Sequence, residues 1–308
     1  MSNSEVEFLT PLIEFLKPTD KLNGRKIKLI IHAGTPKTGT SSVQTYLDKR
    51  QSKLRRRGIL YPHNLLAIQN PTAPKHHWFE KNLLSENFDF FLENFKNIIA
   101  QIKEDTHTVI LSSEGIYNYW WDFTDQSKEV LASLQELFDV QLWVWFREPL
   151  AFIESYYKQC IRNPRVVGNP CYGMDLSFSQ MLEIEWFTQH LDYQGFVDEC
   201  ESLFGESNVS VFNYQGDVVQ ELAQQLGFNT QKDNPAPRQN QSLNSASIEL
   251  LKAINKYDVS ASDKGLLMPH IKELNALLAK YSNDSVIDDA SKKKVLSVFR
   301  PIRFISNV

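Results

Sequence analysis

The chain has 308 residues, of which 42% are hydrophobic and 23% charged, with a formal net charge of −4. This length suits one large α/β domain or two modest ones, and it buries enough surface to need no disulfide or metal staples. The charge argues against a nucleic-acid partner engaged by the whole protein, although a local basic site remains open. No apolar run approaches the roughly 18–20 residues of a membrane-spanning helix. Cys160, Cys171 and Cys200 have no metal-type spacing and suit a reducing compartment. The start, MSNSEVEFLTPLIEF, lacks the basic head and apolar core of a secretion signal. The expectation is a cytoplasmic protein with no stable membrane insertion.

In chain order, Val6, Leu9, Ile13 and Leu16 stand at helical spacing over 4–17, with Pro11 inside. KIKLIIHAG, 26–34, is a nearly continuous apolar run ending in glycine, as a buried parallel strand would be. A tight loop and a helix follow, then a short strand at 58–62 and an irregular stretch rich in Pro and His at 63–78. A helix is predicted over 86–103, a strand over 106–113, a helix over 125–138 and a strand over 140–146. Pro149 opens a helix that runs to about 162. Residues 163–176 hold two prolines and two glycines and must be a loop. A helix over 186–204, a strand over 208–214 and a helix over 217–226 come next. Residues 229–245 read as irregular, and 246–308 as helices without strands. The alternation implies a three-layer α/β/α fold with a central parallel sheet, P-loop-like, and a helical C-terminal extension. We expect a single domain over 1–308, with an N-terminal segment 1–25, an α/β core 26–230 and the extension 231–308.

In open parallel sheets, ligands sit at the carboxyl ends of the strands. GTPKTGTSS, 34–42, lies there. Its turn into a helix exposes backbone N–H groups and the positive end of a helix dipole, both suited to phosphate or sulfate. Lys37 adds a charge, and Thr38, Thr40, Ser41 and Ser42 add hydroxyls around Gly39. A Walker A loop reads G-x-x-x-x-G-K-[ST]. Gly34 and Gly39 keep that spacing, but Thr40 stands where the lysine belongs, which weakens a nucleoside-triphosphatase or kinase reading.

The string PKTGTSS after an apolar strand resembles the 5′-phosphosulfate loop of sulfotransferases that use 3′-phosphoadenosine 5′-phosphosulfate (PAPS). The wider HAGTPKTGTSSVQTYL and RRRGILYP are similar to bacterial members of that family. The resemblance extends through separated motifs over about residues 26–250. It implies transfer of a sulfuryl group from PAPS to a hydroxyl, most naturally on a saccharide, leaving adenosine 3′,5′-bisphosphate and needing no metal. The stretch Arg147, Pro149, Ser155 and Tyr157 is similar to the family's 3′-phosphate element. Its logic also stands on chemistry, since Arg offers a forked donor to phosphate and Ser a neutral one. Arg238, in PAPRQNQSLN, resembles a late nucleotide-closing element; the same stretch also suits a helix cap at Asn244 or Ser245.

A base must take the acceptor's proton. Glu114, just past a strand in LSSEGIYN, and His77, in KHHWF, are the candidates, with His76 beside the latter. Glu114 also suits a capping or ion-pairing role, and His32 suits a core position. Trp78, Tyr117, Tyr119, Trp120 and Trp121 could face a sugar ring or fill a core. Residues 163–176, with Arg162 and Arg165, suit acceptor recognition. The alternatives are a P-loop kinase with a displaced lysine and a non-catalytic nucleotide-binding module.

Overall fold

The computed structural model describes residues 26–62, 76–228, 242–278, 285–302 and 304. The helix expected over 4–17 and Arg238 lie outside them. The described residues divide into two compact units, one drawn from Met1–Phe146, Gln194–Ala236 and Arg303–Val308, the other from Arg147–Tyr193 and Pro237–Ile302.

The first unit holds five strands: β1 (Ile27–His32), β2 (Ile59–Leu60), β3 (Thr108–Ser112), β4 (Phe138–Phe146) and β5 (Val209–Asn213). All pair in parallel in the order β2-β3-β1-β4-β5, with Leu29 of β1 level with Val109 and Val140. Helices α1 (Thr40–Lys49) and α2 (Gln51–Arg55) follow β1. Next come α3 (His77–Leu84) and α4 (Phe88–Gln101) before β3, then α5 (Gly115–Asn118) and α6 (Asp125–Ser133) before β4. The second unit continues with α7 (Pro149–Arg162), α8 (Phe178–Met181) and α9 (Glu185–Thr188). All but the first residue of α10 (Tyr193–Phe204), and all of α11 (Val218–Gln225), return to the first unit around β5. Helices α12 (Ser245–Asn255), α13 (Ala261–Leu278) and α14 (Asp289–Val298) close the second unit, and the described residues of this extension form no strand.

Strand alternation gives the sheet two apolar faces, so helices must cover both. On one face Ile30, Ile59, Ile110, Trp145 and Phe212, one from each strand, pack with Val43 and Leu47 of α1, Leu54 of α2 and Val218 and Leu222 of α11. Right-handed crossovers put α3, α4 and α6 on the other face. There Trp78 and Phe79 of α3 meet Phe91 and Phe95 of α4 edge-on or stacked, and Phe95 reaches Phe138 of β4. The first unit is thus a three-layer α/β/α fold.

Local signals set the helix starts. Asn87 accepts from the N–H of Phe90, and Thr124 from that of Ser127. Glu148 accepts from the N–H groups of Leu150 and Ala151, ahead of Pro149 at the first turn. Three predicted boundaries need correction. The irregular stretch ends earlier than expected, because α3 starts at His77. Helix α6 stops at Ser133, a 3-10 turn follows at Leu134–Glu136, and β4 begins at Phe138 rather than 140. The helix expected over 186–204 is broken into α9, a 3-10 turn and α10, with Asp192 at ψ 64° leaving the helical path.

In the second unit, α7 packs against α12 and α14. Asn244 is the cap of α12 and accepts from the N–H of Ser247. Lys264 of α13 is buried and donates to Ile161 O at 2.9 Å, Asn163 O at 2.6 Å and Asn255 Oδ1 at 2.6 Å. Its ammonium therefore caps the carbonyl end of α7. The 163–176 loop is anchored by Arg165, which donates to Asn255 O and pairs with Asp258, and it exposes Val166 and Val167. Cys160 and Cys171 here, and Cys200 in the first unit, are free and buried.

Candidate functional site

The strand order reverses at β1. Its crossover carries α1 and α2 on one face, while its neighbour β3 sends its crossover to the other. Their carboxyl ends therefore part and leave a crevice, where ligands collect in open sheets. The 34–42 loop fills that position. Thr35 anchors it by donating from Oγ1 to Trp145 O at 2.9 Å. Thr38 is fully buried and donates from Oγ1 to Thr35 O at 2.7 Å, so its hydroxyl stiffens the loop instead of facing outward. Lys37 and Gly39 adopt left-handed backbone, with φ 72° and 83°. A Cβ on Gly34 would come within 2.5 Å of Thr40 Oγ1 and 3.1 Å of His32 Nε2; glycine is required for that approach.

Helix α1 begins at Thr40. Gly39 O takes the N–H groups of Ser42 and Val43, which leaves those of Thr40 and Ser41 without an intrahelical acceptor. The first turn holds no acidic side chain to offset its positive end. Ser41 is exposed and Ser42 half-buried, so these are the hydroxyls on the open side, while Thr40 is buried with Oγ1 unpaired.

Beside the loop, the end of β3 carries two consecutive serines with separate partners. Ser112 Oγ bonds His32 Nδ1 at 2.8 Å, its N–H donates to His76 Nδ1 at 3.0 Å, and its carbonyl accepts from Gln44 Nε2 at 3.2 Å. The second nitrogen of His76 meets Pro62 O at 3.1 Å, so both its nitrogens are used in structure. Burial lowers the pKa of His32 to about 3 and, despite these backbone bonds, that of His76 to about 4. Both rings are neutral in the fold and return towards 6.5 on unfolding. The unfolded chain therefore binds more protons below pH 6.5, and stability falls with acidity down to about pH 4 for His76 and pH 3 for His32. Each contributes a slope of about 1.4 kcal/mol per pH unit. Urea titrations between pH 4 and 7 should show His76→Gln lowering that slope by one proton.

His77, one residue on, differs. Its ring is 40% exposed, and Nδ1 lies 2.7 Å from Glu80 Oε1. Glu80 Oε2 accepts from Ser113 Oγ at 2.6 Å. Glu114 is half-buried just beyond β3, and its side chain forms no cap bond to α5. Glu80 was not singled out in the sequence; its signal is the i, i+3 spacing from His77, visible only if 77–84 is read as helix. Of the aromatic residues, Trp78, Tyr117 and Trp120 are core, and only Tyr119 and Trp121 keep partial exposure. Trp120 donates from Nε1 to Glu199.

Arg147 and Ser155 belong to the second unit. Arg147 precedes α7, is half-buried and forms no ion pair among the described residues; its carbonyl accepts from Tyr193 Oη at 3.1 Å. Ser155 is half-buried on α7. Tyr157 is buried and donates to Leu176 O. Among the described residues no three His, Cys, Asp or Glu side chains form a metal-type cluster, and no helix is long and apolar enough to cross a membrane.

Compared with known proteins, the chain matches no family model and no curated protein. A solved structure from the PezAT chromosomal toxin–antitoxin system of Streptococcus pneumoniae is similar at 13% identity, over 90% of this chain and 98% of that one, with a TM-score of 0.32. A likeness that weak carries no argument about fold or function.

Proposed function

We propose that this chain is a PAPS-dependent sulfotransferase acting on a hydroxyl, with a saccharide as the favoured acceptor. The observation that carries the reading is the 34–42 loop: left-handed Lys37 and Gly39 lead into the acid-free first turn of α1 at the end of the central strand. The glycine at 34 lets the loop backbone pack closely against Thr40 and His32, which fixes the loop's path into α1. Bound PAPS supplies the sulfuryl group: the acceptor oxygen bonds to sulfur as the bond to the bridging 5′-phosphate oxygen breaks, and the electron pair leaves on that phosphate. Lys37 and the N–H groups of Thr40 and Ser41 offset the anionic charge. Ser41 and Ser42 offer outward hydroxyls. Arg147 and Ser155 are assigned to the 3′-phosphate by resemblance to the family element. Arg238 is assigned to the nucleotide by resemblance to the family's late closing element. The base that takes the acceptor's proton is His77 or Glu114.

The test is ligand-induced stabilisation. Adenosine 3′,5′-bisphosphate at 100 times its Kd should raise the unfolding free energy by about 2.7 kcal/mol, more than ATP with magnesium does. The reverse order would favour a kinase-like enzyme. Stabilisation without turnover in an acceptor screen with labelled PAPS would leave a nucleotide-binding module.

A further inference from the structure

We infer that Glu80 is a positioning residue that holds His77 as its Nδ1–H tautomer and turns Nε2 outward as the proton-accepting atom. This rests on the sulfotransferase reading for the proton's source, and it selects His77 over Glu114 as the base.

A carboxylate only accepts, so the hydrogen in the 2.7 Å bond between His77 and Glu80 sits on Nδ1 and leaves Nε2 unprotonated when the ring is neutral. The carboxylate itself is fixed on three sides. Its side chain is 4% exposed. Its second oxygen takes the Ser113 hydroxyl at 2.6 Å, and Ser113 Oγ in turn accepts from the N–H of Gly115 at 3.2 Å. The backbone after β3 presses on it as well: a Cβ on Gly115 would lie 2.3 Å from Glu80 Cγ and 2.6 Å from Cδ. Held carboxylates of this kind set the tautomer and orientation of a working histidine.

Other histidines and ion pairs provide the contrast. His76 has both nitrogens bonded inside the fold. The pair His270 and Glu273 has the same i, i+3 spacing but stands 3.9 Å apart with both side chains about four-fifths exposed, a solvated helix face. Only the His77 ring combines a buried, doubly bonded carboxylate on one side with exposure on the other among the described residues.

The experiment uses the full chain with 15N-labelled histidine, the His77 signals being identified by their loss in His77→Gln. In the wild-type protein, at a pH where the ring is neutral, Nδ1 should be the protonated nitrogen. In Glu80→Met the Nε2–H form should take over. A wild-type ring protonated at Nε2, or an unchanged tautomer in Glu80→Met, would overturn the inference. Should Glu80→Met fail to fold, Glu80→Leu removes the acceptor in the same way, and an unchanged tautomer there likewise overturns the inference. In turnover, Glu80→Met should lower kcat about 30-fold, within the range for such supporting residues, with KM within threefold. In a His77→Ala background it should cost less than a further twofold; an additional large loss would show that Glu80 acts without His77. A wild-type chain inactive with PAPS sinks the sulfotransferase reading, and the spectra then decide the role of Glu80 alone.

Discussion

Replacing Lys37 with alanine is expected to lower sulfuryl transfer by roughly 10²–10³-fold, the scale seen when one preorganised charge-stabilising donor is lost, while the protein stays folded. Lys37 sits at φ 72°, where a side chain costs about 1 kcal/mol that glycine does not incur. Glycine there loses more freedom on folding, by a similar amount. Lys37→Gly should therefore leave the unfolding free energy within about 1 kcal/mol of wild type and be as inactive as Lys37→Ala. Denaturant titration beside single-turnover transfer checks both halves. A Lys37→Gly protein that retains wild-type turnover would remove Lys37 from the mechanism.

The second large effect concerns stability. Lys264 gives all three ammonium protons to oxygens at the end of α7 and in α12. Burial, with the Arg165 guanidinium adding to it, lowers its pKa to about 8, so it is charged at pH 7. Lys264→Met removes the burden of burying that charge but strands three acceptors, each of which costs about 1–3 kcal/mol when left unpaired. The acceptors outweigh the relief, and the net loss should be about 2–4 kcal/mol, read as a fall in the denaturation midpoint. Lys264→Arg should not rescue it, because a planar fork cannot converge on three oxygens around a point charge. Neutral behaviour of Lys264→Met would show that α7 does not depend on this cap.

The sheet was legible because its strands are nearly continuous apolar runs, as in IKLIIH and TVILS, and because Pro149 and the glycines of 34–42 mark their turns by conformation alone. The loop's charge pattern was legible for the same reason, since its residues are consecutive. The His77 site was not. It brings together His77, Glu80 and Ser113 from two separate elements, and the Pro- and His-rich sequence before α3 hides the helical register that would pair the first two. For the aromatic residues the sequence left two roles open, and for Tyr117 and Trp120 edge-on contacts with Phe196 decide for the core. Lys264 reads as a surface residue of a mostly exposed helix, because two of its three acceptors are about a hundred residues away in sequence.

The three buried cysteines have a practical consequence. Burial raises the Cys171 thiol to about 12. Cys200 is raised well above its ordinary value, by burial first and then by the charge of Glu199, with Lys128 opposing. The thiolate is the form that attacks thiol reagents, so the native chain should resist them until a segment opens. Cys160 and Cys171 report on one unit and Cys200 on the other. Variants retaining cysteine in a single unit turn alkylation rates into two separate clocks of opening, and their response to adenosine 3′,5′-bisphosphate would show which unit a bound nucleotide slows.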